Sequence, residues 1–255
     1  MPAPYDALAA GYDAVMAHVD YEHWALYVHV LLQRHGSDIE TVLELGGGTG
    51  SLALHLQPLG DYEYVHTDGS AAMLQRAREK LAAADRAVQC VQADFRDFTL
   101  ADLDRDAPVD AVVLVYDGLN YLTEDGEVAS LFRCVHDVLR PGGVFVVDQS
   151  TPANSEDNAD AFVDEGATDD FAYVRESHYD PETRRQVTTF EITTGDGTAR
   201  ETHIQYAYTP AEIRDLLAAS PLRTVAAYDG RTLDAARTRS HRVHWVARRP
   251  NGSMP

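Results

Sequence analysis

Apolar positions follow two periodicities along the first part of this chain, and these predict strands that alternate with helices. Short apolar runs predict strands, and apolar residues that recur every three or four positions predict helices. A helical N-terminal segment through residue 35 comes first. Five predicted strands follow, at residues 42–45, 62–67, 87–91, 109–115 and 144–147. The predicted helices between them cover residues 51–59, 71–84 and 124–139. This alternation is typical of a parallel sheet covered by helices on both faces.

The pattern changes after residue 150. Residues 150–170 are polar and acidic, which predicts a long loop. Three segments then alternate like antiparallel strands, at residues 171–179, 186–193 and 201–208. The last elements are a predicted helix and two strands, at residues 210–219, 222–228 and 242–247. We predict an α/β fold with a Rossmann-like, seven-stranded, mostly parallel sheet flanked by helices and an inserted antiparallel β meander. The expected units are a helical segment, a core, the insert and the closing elements, at residues 1–40, 41–150, 151–208 and 209–250.

Composition limits the classes of protein that the chain can belong to. With 255 residues, of which 45% are hydrophobic, the chain can bury one good-sized core. No apolar run approaches the roughly 20 residues that cross a bilayer, and residues 1–6 lack the basic and apolar start of a signal peptide. Cys90 and Cys134 form no disulfide framework and show no metal spacing. We expect a soluble cytoplasmic protein with no metal site and no membrane partner.

The formal net charge of −20 shapes the expected partners. Such a surface repels nucleic acid and anionic membranes, which favours a small-molecule substrate. Lys80 is the only lysine, and acids greatly outnumber basic residues. An acidic, lysine-poor surface suits a cytoplasm of high salt, where screening weakens the self-repulsion. Adaptation to high salt is therefore a hypothesis.

A glycine-dense turn follows the first predicted strand and carries the strongest chemical signal. Glu44 precedes four glycines, and a helix follows them: Gly46, Gly47, Gly48 and Gly50. Glycines at such a turn permit positive φ and a close approach of ligand to backbone, and the helix N-terminus offers unpaired N–H groups. Their spacing differs from the G-x-G-x-x-G of dinucleotide-binding loops. The Glu44 carboxylate disfavours a pyrophosphate, whereas it suits the ammonium and sulfonium of S-adenosylmethionine (SAM).

Acidic residues also end the next two predicted strands. Asp68 and Asp94 hold these positions, as Glu44 does for the first strand. Ligands of open parallel sheets bind at the carboxyl ends of the strands. The sequence thus predicts one binding site bordered by three carboxylates.

The segment from Glu44 to Gly50 resembles the first motif of class I SAM-dependent methyltransferases. The resemblance implies that Asp68, with Gly69 after it, binds the ribose hydroxyls of SAM. It further implies that Asp94 and Phe95 bind the adenine and that Met73 packs on its face. Asp68 as a helix cap and Asp94 as a solvated loop acid are the structural alternatives.

A narrower resemblance rests on Tyr5, on residues 11–13 and on residues 116–122. These segments resemble a bacterial subgroup of small methyltransferases with an N-terminal Tyr-Asp motif and an Asp-x-Leu-Asn-Tyr-Leu motif. The acceptor-side candidates are Tyr12, Tyr116, Asp117 and Asn120, and Tyr116 also counts among the cofactor-binding residues. Alternatively, Tyr12 packs the N-terminal helix, and Asp117 and Asn120 hold their loop by hydrogen bonds.

These observations favour a SAM-dependent methyltransferase that acts on an amine, carboxylate or hydroxyl of a small molecule. A non-catalytic SAM-binding protein and an NAD-dependent oxidoreductase are the alternatives, and the glycine spacing disfavours the latter. The insert is expected to form a lid or a dimer face, so that monomer and homodimer both remain open. Most histidines are expected at the surface or in packing, and three are candidates to face the pocket: His18, His178 and His203.

Overall fold

The computed structural model describes residues 5–158 and 162–252 and arranges them around two β-sheets. Residues 1–4, with the expectation about the start of the chain, lie outside these ranges. The helices are α1 (Tyr12–Val15), α2 (Tyr21–His35), α3 (Ser51–Gly60), α4 (Ala71–Ala83), α5 (Glu127–Val138), α6 (Pro152–Asp157) and α7 (Pro210–Ala218).

The larger sheet has seven strands: β1 (Thr41–Glu44), β2 (Glu63–Asp68), β3 (Val88–Gln92), β4 (Val109–Leu114), β5 (Leu139–Ser150), β10 (Arg223–Asp229) and β11 (Arg242–Arg248). The smaller sheet has four: β6 (Phe162–Ala167), β7 (Phe171–Asp180), β8 (Arg185–Thr194) and β9 (Gly197–Tyr206).

Strand order in the larger sheet is β10-β11-β5-β4-β1-β2-β3. Within this described sheet, β11 runs opposite to the other six strands. The central strands are apolar along their length because helices cover both faces, and two separate hydrophobic clusters form there. One cluster packs beneath α2, α3 and α4, and the other beneath α5 and α7. The predicted fold class is therefore confirmed.

Local capping explains where two of the helices begin. Ser70 precedes α4 and accepts a hydrogen bond from the backbone N–H of Met73, as the sequence predicts. Thr209 and Glu212 form a reciprocal capping box at the start of α7, with Pro210 in the first helical turn. Of these two helices, α4 borders the cleft described below.

The smaller sheet is antiparallel throughout and follows β5 in the chain. One of its faces turns toward the N-terminal segment, where Phe171, Phe190 and Ile192 pack against Leu8 and Val15. The insert thus contacts a segment that precedes it by more than 150 residues. This contact encloses a space above the carboxyl ends of the central strands.

Two sequence-based expectations were wrong. Residues 150–170 are not one long loop, because they include α6 and β6; charged positions within the six residues of β6 obscured its alternation. The meander is accordingly a four-stranded sheet rather than three strands. The second concerns the fifth strand, predicted at residues 144–147: β5 is longer, starts at Leu139 and shifts register beside β4.

The chain reverses its direction across the sheet between β1 and β4. The connections that follow these two strands diverge there and leave a cleft at their carboxyl ends, the usual ligand position in open α/β sheets. Among the described residues, no helix is both long and apolar enough to cross a membrane.

Candidate functional site

The glycine loop, residues 46–50, connects β1 to α3 and lies at the cleft. Gly46, Gly48 and Gly50 have φ angles of +58°, +60° and +78°, which side-chain-bearing residues rarely adopt. A Cβ on Gly47 would lie 2.4 Å from the ring of His66. The loop therefore needs glycine for its backbone shape at three positions and for space at the fourth.

A buried ion pair supports the glycine loop from below. His66 Nδ1 lies 2.9 Å from Glu44 Oε2, and His66 Nε2 lies 3.1 Å from the Gly48 carbonyl oxygen. Both ring nitrogens face acceptors, so the geometry favours the doubly protonated imidazolium. Burial alone would lower the pKa of His66, but Glu44 and the Gly48 carbonyl outweigh burial and raise it. Glu44 is thus held rigidly at the cleft, with a cation beside it.

Asp68 connects the glycine loop to the start of α4. Its two carboxylate oxygens accept hydrogen bonds of 2.8 Å from the backbone N–H groups of Gly48 and Ser70. Burial raises the pKa of Asp68, and these two N–H groups partly offset the rise. Ser70, not Asp68, caps α4, so the cap alternative does not account for Asp68.

The other cofactor-side residues lie farther along the same cleft. Met73 is buried in the first turn of α4, and Phe95 lies against Gly46, where an added Cβ would be 3.4 Å from the ring. Asp94 is exposed and forms an ion pair with Arg96, with an N–O distance of 2.7 Å. The Asp94 carboxylate therefore faces solvent at the rim.

A cavity of about 800 Å³ joins these elements. Eleven of the site residues predicted from the sequence line this cavity: Tyr12, Glu44, Gly46, Gly47, Gly48, Asp68, Gly69, Met73, Asp94, Phe95 and Tyr116. Three predicted residues lie elsewhere, namely Gly50, Asp117 and Asn120. Gly50 instead lets α3 approach α4, since an added Cβ would lie 3.2 Å from Ala77 and Leu81. We call this space the cofactor-side cavity.

The turn after β4 has an unusual backbone. Tyr116 and Asp117 are consecutive non-glycine residues with φ angles of +67° and +66°. Such strain persists only where the surroundings enforce it, and it concentrates at functional sites. Arg242 donates to both Asp117 oxygens, at 2.6 and 3.0 Å, and also to the buried Asp148. Burial raises the pKa of Asp148 to about 6, although Arg242 works against that rise.

Both polar side-chain atoms of Asn120 are hydrogen-bonded to backbone groups of the protein. Its amide nitrogen donates to the backbone carbonyls of Ser150 and Tyr206, and its amide oxygen accepts from the Ser150 N–H. The side chain is 2% exposed. In this geometry Asn120 connects the ends of β5 and β9, which agrees with the loop-holding alternative.

A second cavity of about 660 Å³ lies on the far side of the tyrosines. Asp117 lines it, and so do all three candidate histidines, His18, His178 and His203. Neutral polar side chains from α6 and the smaller sheet form much of its wall, among them Asn154, Ser177, Gln186, Thr188 and Gln205. We call it the acceptor-side cavity.

Five aromatic side chains line both cavities: Tyr5, Tyr12, Tyr116, Tyr121 and His203. The two cavities therefore adjoin at this group, which we call the shared wall. Burial, together with neighbouring tyrosines, raises the pKa values of Tyr5 and Tyr12 well above the ordinary value, so these phenols stay protonated.

Several residues of the site were missed or not assigned a role from sequence. Glu201, on the same face of β9 as His203, and Asp148, two residues before the end of β5, were not assigned a role, whereas His203 was expected to face the pocket and lines both cavities. Two signals were available: the two-residue spacing of Glu201 and His203 on one strand, and the rule that acids follow apolar strands. Lys80 was noted only for its charge, yet it bonds Asp13, Thr49 and Ser51 and so connects α1 to the glycine loop.

Comparison with known proteins bears on the part of the chain that contains the cofactor-side cavity. Residues 42–143 match the family model described as "Methyltransferase domain". This match confirms the coarser resemblance, which rested on the glycine loop and the strand-end acids. The matched range includes residues 116–122 but not Tyr5 or residues 11–13, so it does not test the narrower subgroup.

The same region carries the sequence similarity to a curated relative. YqeM of Bacillus subtilis (strain 168), which bears a methyltransferase name, is 32% identical over 144 residues. These residues are 56% of this chain and 54% of YqeM, so the chain spans about half the length of this relative.

Solved structures extend the fold comparison to nearly the whole chain. A SAM-dependent methyltransferase from Clostridium acetobutylicum ATCC 824 has a TM-score of 0.79 at 20% identity and covers 96% of this chain and 99% of its own. The sugar N-methyltransferase KedS8 from Streptoalloteichus sp ATCC 53650 has a TM-score of 0.71 at 21% identity, with coverages of 98% and 94%. The core and the smaller sheet thus recur together as one fold.

Proposed function

We propose that the protein is a SAM-dependent methyltransferase that transfers a methyl group to an amine of a small polar molecule. One observation carries the proposal: a glycine-floored cavity bordered by carboxylates adjoins a second, polar cavity through a wall of aromatic side chains. Methyl transfer needs a donor and an acceptor aligned at a shared boundary with water excluded. A non-catalytic SAM-binding protein would need no second cavity at that boundary.

The residues of the cofactor-side cavity fit SAM. Gly46 and Gly48 leave the loop open to close approach, because an added Cβ would meet no atom nearer than 3.4 Å at either position. The Glu44 and Asp68 carboxylates suit an ammonium and a ribose diol, respectively. Bound SAM supplies an electrophilic methyl group on a sulfonium. Met73 and Phe95 offer apolar surface for the adenine ring.

The acceptor-side cavity suits a ligand with several hydrogen-bonding groups. Amide and hydroxyl side chains dominate the polar part of its wall, a chemistry that matches hydroxyl-rich small molecules. At the shared wall, tyrosine faces favour the cationic charge that develops on a nitrogen during methylation. KedS8, whose fold is shared, bears the name of a sugar N-methyltransferase, which is consistent with this class of acceptor.

Calorimetric titration with SAM, S-adenosylhomocysteine (SAH) and NAD tests the cofactor assignment. We expect micromolar binding of SAM and SAH and none of NAD. Asp68→Asn should weaken SAH binding at least tenfold, about 1.4 kcal/mol. Asp97→Asn, an exposed acid of the loop after β3, is the matched control and should bind like the wild type. Absence of SAH binding by the wild type would end the methyltransferase proposal.

A panel of amines tests the acceptor class. Sarcosine, glucosamine and a tripeptide with a free N-terminus present secondary amine, sugar amine and peptide amine. SAH release in the presence of SAM, followed by mass spectrometry of the amine, reports transfer. Glucosamine should be the best of the three, and methylation of carboxylates or hydroxyls instead of amines would contradict the acceptor class.

We also propose that the net charge of −20 adapts the protein to high salt. Screening in molar KCl reduces the repulsion among surface acids. The free energy of unfolding should therefore be higher in 2 M KCl than in dilute buffer. Equal stability in the two media would remove the proposal.

A further inference from the structure

A chain of hydrogen bonds runs along the shared wall from the N-terminal segment to β9. The Tyr5 hydroxyl donates to the Tyr121 oxygen at 2.5 Å. The Tyr121 hydroxyl lies 3.3 Å from His203 Nδ1, and His203 Nε2 lies 3.3 Å from Glu201 Oε2. Three segments that are distant in sequence thus meet in one line of polar atoms.

The donors and acceptors in this line have a single consistent direction. The Glu201 carboxylate can only accept, so Nε2 of His203 carries the hydrogen and Nδ1 of the neutral ring is left as an acceptor. Tyr121 accepts from Tyr5 and donates to that nitrogen. The unused lone pair of the Tyr5 oxygen remains at the open end, beside both cavities.

Glu201 is fixed as an ionised carboxylate. It is 2% exposed, and its oxygens accept from the backbone N–H groups of Tyr5, Ala7 and Leu8 as well as from His203. Burial works to raise the pKa of Glu201, but the His203 and backbone hydrogen bonds lower it below the ordinary value. A buried carboxylate that orients an imidazole and stabilises its cation is the arrangement that activates a histidine as a base.

We infer that His203 is the proton acceptor for methyl transfer and that Tyr121 and Tyr5 carry the proton to it from the acceptor amine. The inference rests on the proposed function and assigns the base to the insert rather than to the SAM-binding core. The amine nitrogen uses its lone pair to form the N–C bond. The S–C bond of the sulfonium breaks at the same time, and sulfur keeps the two electrons of that bond. The amine proton moves to the Tyr5 oxygen, the Tyr5 proton to Tyr121 and the Tyr121 proton to Nδ1. His203 then returns its proton to solvent.

The surroundings of the imidazole suit this role. Phe190 of β8 packs at 5.3 Å between ring centroids, and Tyr5 packs at 4.6 Å. Apart from the relay residues, Tyr12 faces Tyr5 from α1. Burial is the main cause of the raised pKa of Tyr5, and the Asp68 carboxylate adds a smaller rise. Burial likewise raises the pKa of Tyr121, and Asp117, which is paired with Arg242, adds a smaller rise. Both phenols therefore stay protonated and can pass a proton without acting as bases.

Nuclear magnetic resonance tests the relay without any acceptor. In uniformly ¹⁵N-labelled protein, the His203 resonances are identified by their loss in His203→Gln. We expect Nε2 to carry the proton and Nδ1 to be unprotonated, in the SAH complex as in the free protein. In Glu201→Gln, Nε2 loses its carboxylate acceptor, so the preference for a hydrogen on Nε2 in the neutral ring should weaken. A proton on Nδ1 in the neutral ring would overturn the relay.

Kinetics with the best amine of the panel test the role in turnover. His203→Gln should lower kcat about 100-fold and flatten the acid limb of its pH profile, with the KM for SAM unchanged. Tyr5→Phe, which breaks the entry to the relay, should lower kcat about tenfold and leave the limb in place. His136→Gln is the control, because His136 pairs with a carboxylate on α5 outside both cavities.

The outcomes separate the two proposals. Wild-type binding of SAH together with an unchanged pH profile in His203→Gln would overturn the relay and leave the methyltransferase proposal intact. Loss of SAH binding in His203→Gln would also overturn it, since His203 would then support the cofactor-side cavity. Failure of the wild type to bind SAH would overturn the proposed function, and the role of the relay in methyl transfer with it.

Discussion

The two cavities differ in how the chain builds them. The cofactor-side cavity is formed mainly by short connections after β1, β2, β3 and β4 of one parallel sheet, whereas the acceptor-side cavity joins the N-terminal segment, α6 and the smaller sheet. In the first, neighbouring strands fix the side chains locally. In the second, contacts span most of the chain, such as Ala7 to Glu201. The cofactor-side cavity therefore depends mainly on local sequence, whereas the acceptor-side cavity depends on contacts between distant segments.

The largest effect is expected from a variant that disrupts the ion pairs beside the acceptor-side cavity. Arg242→Met leaves Asp117 and the buried Asp148 without their cation, and loss of one partner from a buried ion pair typically costs about 3–5 kcal/mol. Urea unfolding should show a loss of this size. The folded fraction should still bind SAH within about tenfold of the wild type, because none of these three groups lines the cofactor-side cavity.

The control for this variant is Arg239→Met. Arg239 and Asp157 form an ion pair on the surface with both side chains exposed, so its removal should cost less than about 1 kcal/mol. Equal losses of unfolding free energy in Arg242→Met and Arg239→Met would contradict the claim that burial makes the Arg242 ion pairs more important for stability than a surface pair.

The next largest effect is expected from a variant that disrupts the glycine loop of the cofactor-side cavity. In Gly47→Ala, the new Cβ would lie 2.4 Å from His66 and 2.6 Å from Glu44, both of them buried. We expect SAH affinity to fall at least 100-fold, about 2.7 kcal/mol, because the glycine loop must shift. Calorimetry measures the affinity. Gly195→Ala in the β8–β9 turn, where an added Cβ meets nothing within 4 Å, should behave like the wild type.

An intermediate effect sharpens the role of Asn120. Asn120→Ala removes three hydrogen bonds to backbone groups and should destabilise the protein by about 2–3 kcal/mol. SAH affinity should change less than threefold. A variant with wild-type stability and a large loss of kcat would instead support the catalytic role that the sequence suggested.

The smallest effect concerns the attachment of the insert to the core. Arg184, at the turn between β7 and β8, pairs with Glu212 of α7. Burial alone would raise the pKa of Glu212, but Arg184 and Thr209 lower it to about 2. Because the folded pKa lies below the unfolded one, this contribution to stability is complete above about pH 4.5 and is lost as the pH falls toward 2.

Glu212→Gln should therefore cost no more than about 1 kcal/mol at pH 7, since the pair is partly exposed. Between pH 5 and 3, the wild type should lose more stability than the variant, as measured by urea unfolding at each pH. Glu182→Gln in the same turn as Arg184 is the matched control. The stability difference between the wild type and Glu212→Gln should shrink as the pH falls, and a difference that grows would contradict the lowered pKa of Glu212.

The same contrast explains what could be read from the sequence. The glycine loop, Asp68 and Met73 were predictable because each sits a few residues from a strand end, where local pattern and strand direction determine position. Arg242 was not, because it meets Asp117 across 125 residues of sequence. Asn120 follows a strand like the others, but its direction depends on β9, whose position the sequence does not reveal. The short, polar α6 and the charged β6 lacked the periodicity that marked the longer elements.

The central claim is that cofactor and acceptor meet at the shared wall, and a crystal structure with SAH tests it most directly. The account predicts SAH in the cofactor-side cavity, with its ribose at Asp68 and its sulfur facing Tyr12 and Tyr116. The acceptor-side cavity should remain open beyond that sulfur. SAH bound elsewhere, or with its sulfur turned away from the shared wall, would contradict the account.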